Sequence, residues 1–234
     1  MTKRYWYVIL AYIIMQYSVF LGAPLFYAIL PVSGDEASIY WTVFSFILGL
    51  VIVLFLMKPD MQMRTERDAS SAVMVITWSI LGLFMAYFAQ AFSVMLEIAI
   101  FGITPGSANT AQIMDISRAF PLFVIVPALI GPILEEIIFR KIIFGSFYKK
   151  MNFFFAALLS ALIFGFIHQE PEHILIYASM GFVFAYLYVI TKRIITPIIV
   201  HMAMNSLTIF AQYSLTPEQI QQQLDKLQLI IIGG

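Results

Sequence analysis

The chain has 234 residues, of which 62% are hydrophobic, 16% aromatic and only 11% charged, whereas soluble domains run to about 45–50% apolar and about 25% charged. Thirteen Lys and Arg balance thirteen Asp and Glu, and cysteine is absent. These figures exclude a water-soluble enzyme, a polyanion binder, a disordered chain, and any disulfide or thiolate chemistry, because a soluble fold of this size cannot hide so much apolar surface.

A bilayer-spanning helix needs about 20 mostly apolar residues. Seven stretches qualify in chain order: 5–30, 38–57, 69–101, 120–147, 153–168, 174–190 and 194–213. The first is too long for a signal-peptide core and lacks a clear small-residue cleavage site, so it reads as a retained span. Turn or charge signals separate the stretches at 31–36, 58–68, 102–118, 149–152, 169–172 and 191–193. After the last span, Thr216-Pro-Glu218 has the form of a helix N-cap followed by proline at the first helical position, which predicts a short helix on the membrane surface. The predicted fold is an all-α polytopic membrane bundle of about seven transmembrane helices. It divides into a three-helix segment without motifs (1–118), a four-helix core (119–213) and an amphipathic tail (214–234), integrated as one membrane domain.

Charge sorts the connections. With the N-terminus in the cytoplasm and seven alternating spans, Lys3, Arg4, Lys58, Arg64, Arg67, Lys141, Lys149, Lys150, Lys192 and Arg193 fall inside, and only Arg118 and Lys226 fall outside. That asymmetry follows the positive-inside rule and predicts this orientation. Six or eight spans scramble it.

Ionisable side chains deep in a bilayer cost about 2.5–3.5 kcal/mol each on insertion scales, so those that occur are informative. The fourth stretch carries Glu135, Glu136 and Arg140 among Ile137, Ile138, Phe139, Ile142 and Ile143. Glu136 and Arg140 stand i,i+4 and can pair on one face. Glu135 points elsewhere, so its partner must come from another helix. The fifth stretch ends Phe164-Gly-Phe-Ile-His168, and the seventh contains His201-Met-Ala-Met-Asn205, again at i,i+4 spacing. Taken singly, His168 reads as an interfacial histidine, and His201 with Asn205 as hydrogen-bonding glue between helices. Taken together, two carboxylates, two histidines and an asparagine form a convergent polar site with a base, an imidazole and oxyanion donors. The fifth and sixth stretches hold only 16 and 17 residues. At 1.5 Å per residue they are shorter than a hydrocarbon core of about 30 Å. The turn carrying His168 is therefore expected to dip into the bundle, within about one water's reach of Glu135 and His201. His173, Glu97, Gln16 and Gln90 read as structural.

The ordered set Glu135-Glu-Ile-Ile-Phe-Arg140, Phe164-Gly-Phe-Ile-His168 and His201-Met-Ala-Met-Asn205 resembles the CPBP family of CAAX proteases and bacteriocin-processing enzymes, also called Abi. The resemblance covers about residues 127–207. It implies an intramembrane endopeptidase in which Glu135 activates water with help from His168, His201 and Asn205 bind the oxyanion, and Glu136, Arg140 and Phe164 support the site. The cofactor is either none or a divalent metal such as zinc. Two His and a Glu can bind zinc, with Glu135, His168 and His201 as the ligands. However, the chain has no His-Glu-x-x-His on one helix, which favours metal-free chemistry. The expected partners are the lipid bilayer and a peptide or membrane-protein substrate of CAAX, bacteriocin or pheromone-precursor type, with no nucleic acid. The expected location is a bacterial plasma membrane. The competing readings are a non-catalytic partner, such as a bacteriocin self-immunity or sensor-kinase scaffold protein, and a proton-coupled transporter. A transporter is disfavoured because paired repeats and broken helices are not detected.

Overall fold

The computed structural model describes residues 1–62 and 68–232; Arg64 and Arg67 of the inner cation set, and Gly233 and Gly234 of the tail, lie outside the described residues. Among the described residues there is helix and no β-strand. Backbone groups in hydrocarbon must be satisfied within their own segment, which an apolar helix does. The helices are α1 (Lys3–Tyr17), α2 (Val19–Ile29), α3 (Gly34–Gln62), α4 (Ala72–Phe101) and α5 (Ala108–Ala119). They continue with a compound helix α6 (Pro121–Tyr148), then α7 (Phe153–Ile167), α8 (Ile174–Thr191), α9 (Ile195–Tyr213) and α10 (Pro217–Ile232). By length and apolarity five of the described helices can cross a membrane, and six if α1 and α2 count as one bent span; α7, at 15 residues, is shorter than a full crossing.

The stretch 5–30 is not one straight helix. It breaks at Ser18, and its halves meet at 48°. Ser18 Oγ donates to the Met15 carbonyl at 2.8 Å and accepts from Trp41 Nε1 at 2.9 Å, so the break is fastened to α3. Pro24, six residues further on, has no N–H for the carbonyl of Phe20, which loosens the same region.

The connection at 102–118, read as a loop from sequence, contains the twelve-residue helix α5. Ser107 caps it, accepting from the Thr110 N–H at 3.0 Å, and Arg118 closes its last turn. The tail helix α10 begins with a capping box, in which Thr216 and Gln219 exchange bonds of 2.9 and 3.3 Å, and it packs against α4.

Loop contacts fall into two groups. Arg4 and Tyr5 bond Asp60, while Lys192 and Arg193 reach Asp68 and Ser70. At the other end, Ser107 and Asn109 meet Glu170, and Arg118 donates to the carbonyls of Gln212 and Leu215. The two groups match the two ends that the expected alternation of helices assigns to these loops.

The core lies around α6, whose spanning window is the most buried of the candidate spans. Ile130, Leu134, Ile138, Phe139 and Ile142 pack there against Val8 and Tyr12 of α1, Val53 and Met57 of α3, and Phe164 of α7. Burying one such side chain contributes about 1.5–3 kcal/mol in water, whereas between helices in lipid the gain comes from close packing. Gly181 of α8 lets α7 approach closely: a Cβ there would lie 2.8 Å from that of Ala161.

Candidate active site

The chemistry of α6 begins with its backbone. It is not a uniform α-helix. Residues Val126–Ile130 and Glu136–Phe144 form wide π turns around a short α segment, Gly131–Glu135. Such turns are frequent at functional sites. Two prolines account for the first one. The Gly131 N–H bonds to the Val126 carbonyl, five residues back. The same repeat would pair the Pro127 carbonyl with the N–H of residue 132, but Pro132 has none. A buried carbonyl without a donor is costly. Asn205 of α9 supplies one, its Nδ2 lying 2.9 Å from the Pro127 oxygen. A carboxamide nitrogen carries two protons, so a second remains for another acceptor.

Glu135 and Glu136 stand at the junction where α turns give way to π turns, and their environments differ sharply. Glu136 is 0% exposed and Arg140 1% exposed. Arg140 Nε lies 3.1 Å from Glu136 Oε2, the pairing that the i,i+4 spacing suggests. The contact is an ion pair set off the hydrogen-bond direction, and the guanidinium N–H groups have no oxygen partner. Aromatic faces take that place: the Arg140 guanidinium carbon sits 4.5 Å from the centre of the Phe164 ring and 5.1 Å from that of Phe184. The other oxygen of Glu136 meets His201 Nδ1 at 2.9 Å. A carboxylate only accepts, so Nδ1 carries the proton.

Glu135 retains 19% side-chain exposure, and its Oε2 lies 3.7 Å from His201 Nε2. The partner from another helix is thus the imidazole of α9, which spans both carboxylates and stacks on Phe184 at 5.0 Å. Tyr12 of α1, bonded by Gln16 at 3.0 Å, lies within electrostatic range of Glu135.

His168, at the end of α7, joins this group through the Phe164 ring, which contacts both imidazoles at centre distances of 4.4 and 6.2 Å. His168 Nδ1 lies 2.8 Å from the Phe164 carbonyl. That oxygen only accepts, so Nδ1 is protonated and Nε2 presents its lone pair in the neutral ring. Among the described residues, no three His, Asp or Glu side chains are arranged to hold a metal ion. The candidate ligands Glu135, His168 and His201 are therefore not gathered as a set here.

Two buried groups escape a reading from sequence alone. Glu97 on α4 has a partner after all: His173, whose Nδ1 lies 2.8 Å away with both side chains buried. Glu170, just before α8, accepts from Ser107 Oγ at 2.9 Å, the Asn109 N–H at 2.9 Å and Tyr177 Oη at 2.5 Å. Burial pushes the Glu170 carboxyl up, but these donors and nearby His173 outweigh it and hold the group below the ordinary carboxylate range. Apart from Tyr177, seven residues from Glu170, these partners show no local spacing signal, since they lie more than 60 residues away along the chain.

Compared with known proteins, residues 117–207 match the family described as Type II CAAX prenyl endopeptidase Rce1-like. The chain is 43% identical over 242 residues to YdiL of Bacillus subtilis (strain 168), named as a membrane peptidase, with 100% of this chain and 99% of that protein covered. It is 33% identical over 162 residues to MroQ of Staphylococcus aureus (strain USA300), named as a membrane-embedded CAAX protease. That match covers 67% of this chain and 65% of MroQ, just under two thirds of its length. No solved structure matches the chain.

Proposed function

This chain belongs to the Rce1-like family of type II CAAX prenyl endopeptidases, and on that premise we propose that it hydrolyses a peptide bond within the membrane by means of a glutamate-activated water. The observation that carries the reading is the divergence of two adjacent glutamates. Glu136 is enclosed and engaged by Arg140 and His201, whereas Glu135 keeps an accessible carboxylate with an imidazole 3.7 Å away.

In the proposed reaction Glu135 takes a proton from water, and the resulting hydroxide attacks the scissile carbonyl carbon. The second Asn205 N–H is a donor for the oxyanion, joined by His201 Nε2 when that nitrogen is protonated. Collapse of the tetrahedral intermediate breaks the C–N bond, and the proton held by Glu135 passes to the leaving amine. His168, with Nε2 bare, would take part as a proton relay, reaching the centre from the far side of the Phe164 ring. Glu136 and Arg140 hold His201 in place.

The substrate class we favour is a peptide or membrane-protein segment: a CAAX-type C-terminus, a bacteriocin or a pheromone precursor. We place the protein in a bacterial plasma membrane with its N-terminus and basic loops in the cytoplasm, as the positive-inside rule requires.

The test uses the full chain in lipid vesicles, a peptide pool including prenylated and unprenylated Cys-a-a-X sequences, and mass spectrometry in ¹⁸O-water. Parent protein should place one ¹⁸O atom in each new C-terminus. Glu135→Gln should lower turnover by about 10²–10⁴-fold without unfolding the protein. Full turnover by Glu135→Gln would overturn the mechanism, and undiminished turnover after chelation would support the metal-free form. A biological effect that survives both Glu135→Gln and His168→Ala would favour the scaffold reading.

A further inference from the structure

A second polar cluster surrounds the turn between α7 and α8. This turn carries His168, and it is strained: Gln169 adopts φ 59°, a left-handed conformation that a non-glycine residue adopts at a cost of about 1–2 kcal/mol. A strained backbone persists only where its surroundings hold it. Tyr177, in the first turn of α8, provides the hold. Its ring stacks on the His168 imidazole at 4.2 Å with an interplanar angle of 27°. Its hydroxyl donates to Glu170 at 2.5 Å. Glu170 is itself fixed by the Ser107 hydroxyl and the Asn109 N–H at the start of α5. The His168 ring therefore has one edge tied to the Phe164 carbonyl and one face laid on Tyr177.

We propose that Tyr177 is the positioning residue of His168, with Glu170 as the post that fixes the Tyr177 ring, so that the imidazole is held with Nδ1 protonated and Nε2 bare. The geometry gives each part a separate task. The carbonyl selects the tautomer, the stacked ring prevents rotation, and the 2.5 Å hydroxyl bond sets where the stacked ring lies. Ser107 and Asn109 make the segment 102–118 a working part of the site. The inference rests on the reading of His168 as part of the reaction centre.

The chain has three histidines, which makes the test spectroscopic. Full-length protein labelled with ¹⁵N-histidine in lipid nanodiscs gives ring nitrogen signals that report which nitrogen is protonated. Single His→Asn variants assign them. In the parent, His168 should show protonated Nδ1 and bare Nε2. Tyr177→Leu should shift His168 toward the opposite tautomer or a mixture while leaving the His201 signals in place as the fold control. Tyr177→Phe and Glu170→Gln keep the ring and should move the signal part of the way, and they carry the test if Tyr177→Leu does not fold. On a cleaved peptide from the pool, Tyr177→Leu should lower kcat by about tenfold to 10²-fold with KM within about twofold, and Tyr177→Phe should recover most of it. An unchanged His168 tautomer in folded Tyr177→Leu overturns the positioning role, even if His168→Ala is inactive. Full turnover by His168→Ala instead overturns the reading on which the inference rests.

Discussion

Removal of Arg140 isolates what the buried charges of α6 contribute. In Arg140→Met the side chain keeps its approximate volume but leaves Glu136, at 0% exposure, facing the gap. The lost Nε–Oε2 pair at 3.1 Å corresponds to about 5 kcal/mol at an effective dielectric of about 20. The contacts with Phe164 and Phe184 add about 0.5–2 kcal/mol each. Methionine recovers part of this through apolar packing, and the remaining bond to His201 holds Glu136 in part. The net expectation is a loss of about 3–5 kcal/mol, the usual cost of breaking a buried pair from one side. The double variant Glu136→Gln with Arg140→Met removes both charges and leaves an amide oxygen to accept from His201 Nδ1. It should be at least about 2 kcal/mol more stable than Arg140→Met alone, because uncompensated charge is the main penalty. Unfolding by sodium dodecyl sulfate from mixed micelles, followed by circular dichroism and tryptophan fluorescence, measures both differences. If Arg140→Met loses less than about 1 kcal/mol, or if the double variant is no more stable than the single one, the pair does not hold this helix.

Gly181→Ala places a Cβ 2.8 Å from that of Ala161, so the α7–α8 contact should open at a cost of about 1–3 kcal/mol in the same assay. Gln169 should respond with opposite signs: Gln169→Gly stabilises by about 0.5–1 kcal/mol by relieving φ 59°, and Gln169→Val destabilises by more than about 1 kcal/mol. Stability gains for both would mean that the turn is not strained. Glu170 predicts an acid limb. Its folded pKa is depressed, so its contribution is present above the unfolded value of about 4.3 and is lost as pH falls through the folded value. Melting temperature against pH should therefore fall less steeply in acid for Glu170→Gln than for the parent; superimposable acid limbs would assign the effect elsewhere.

Much of this architecture is written in one-dimensional patterns. Apolar length locates the seven segments, and charge asymmetry groups their loops, because lipid imposes both constraints locally. The Glu136–Arg140 contact is legible for the same reason, since i,i+4 spacing fixes it before any packing. Glu135 needs a partner from elsewhere, and spacing alone cannot choose between His168 and His201; helix packing sets His201 Nε2 at 3.7 Å. The bend at Ser18 and helix α5 are hidden because apolar content does not encode direction, and α5 has little apolar character of its own. The π turns are the hardest to see. Pro127 and Pro132 hint at them, but the carbonyl they leave over is satisfied by Asn205, 78 residues away. Glu97 with His173 and Glu170 with Ser107 are long-range pairs of the same kind.

The wide turns of Glu136–Phe144 give this segment an unusual way to fail. A π turn accommodates a surplus residue within a helix, so deleting one residue there would let the backbone relax to a regular α repeat. The shortened segment would remain apolar and long enough to enter the bilayer. A membrane-insertion machinery that screens hydropathy would accept it. Yet a deletion between Glu136 and Arg140 would shift Arg140 by one position in the helical register, away from the Phe164 and Phe184 faces that now hold its guanidinium. Such an allele would be expressed, inserted and inert. Frame-preserving deletion scanning of this segment, scored separately for membrane abundance and for turnover, should therefore separate the two outcomes more cleanly than alanine scanning.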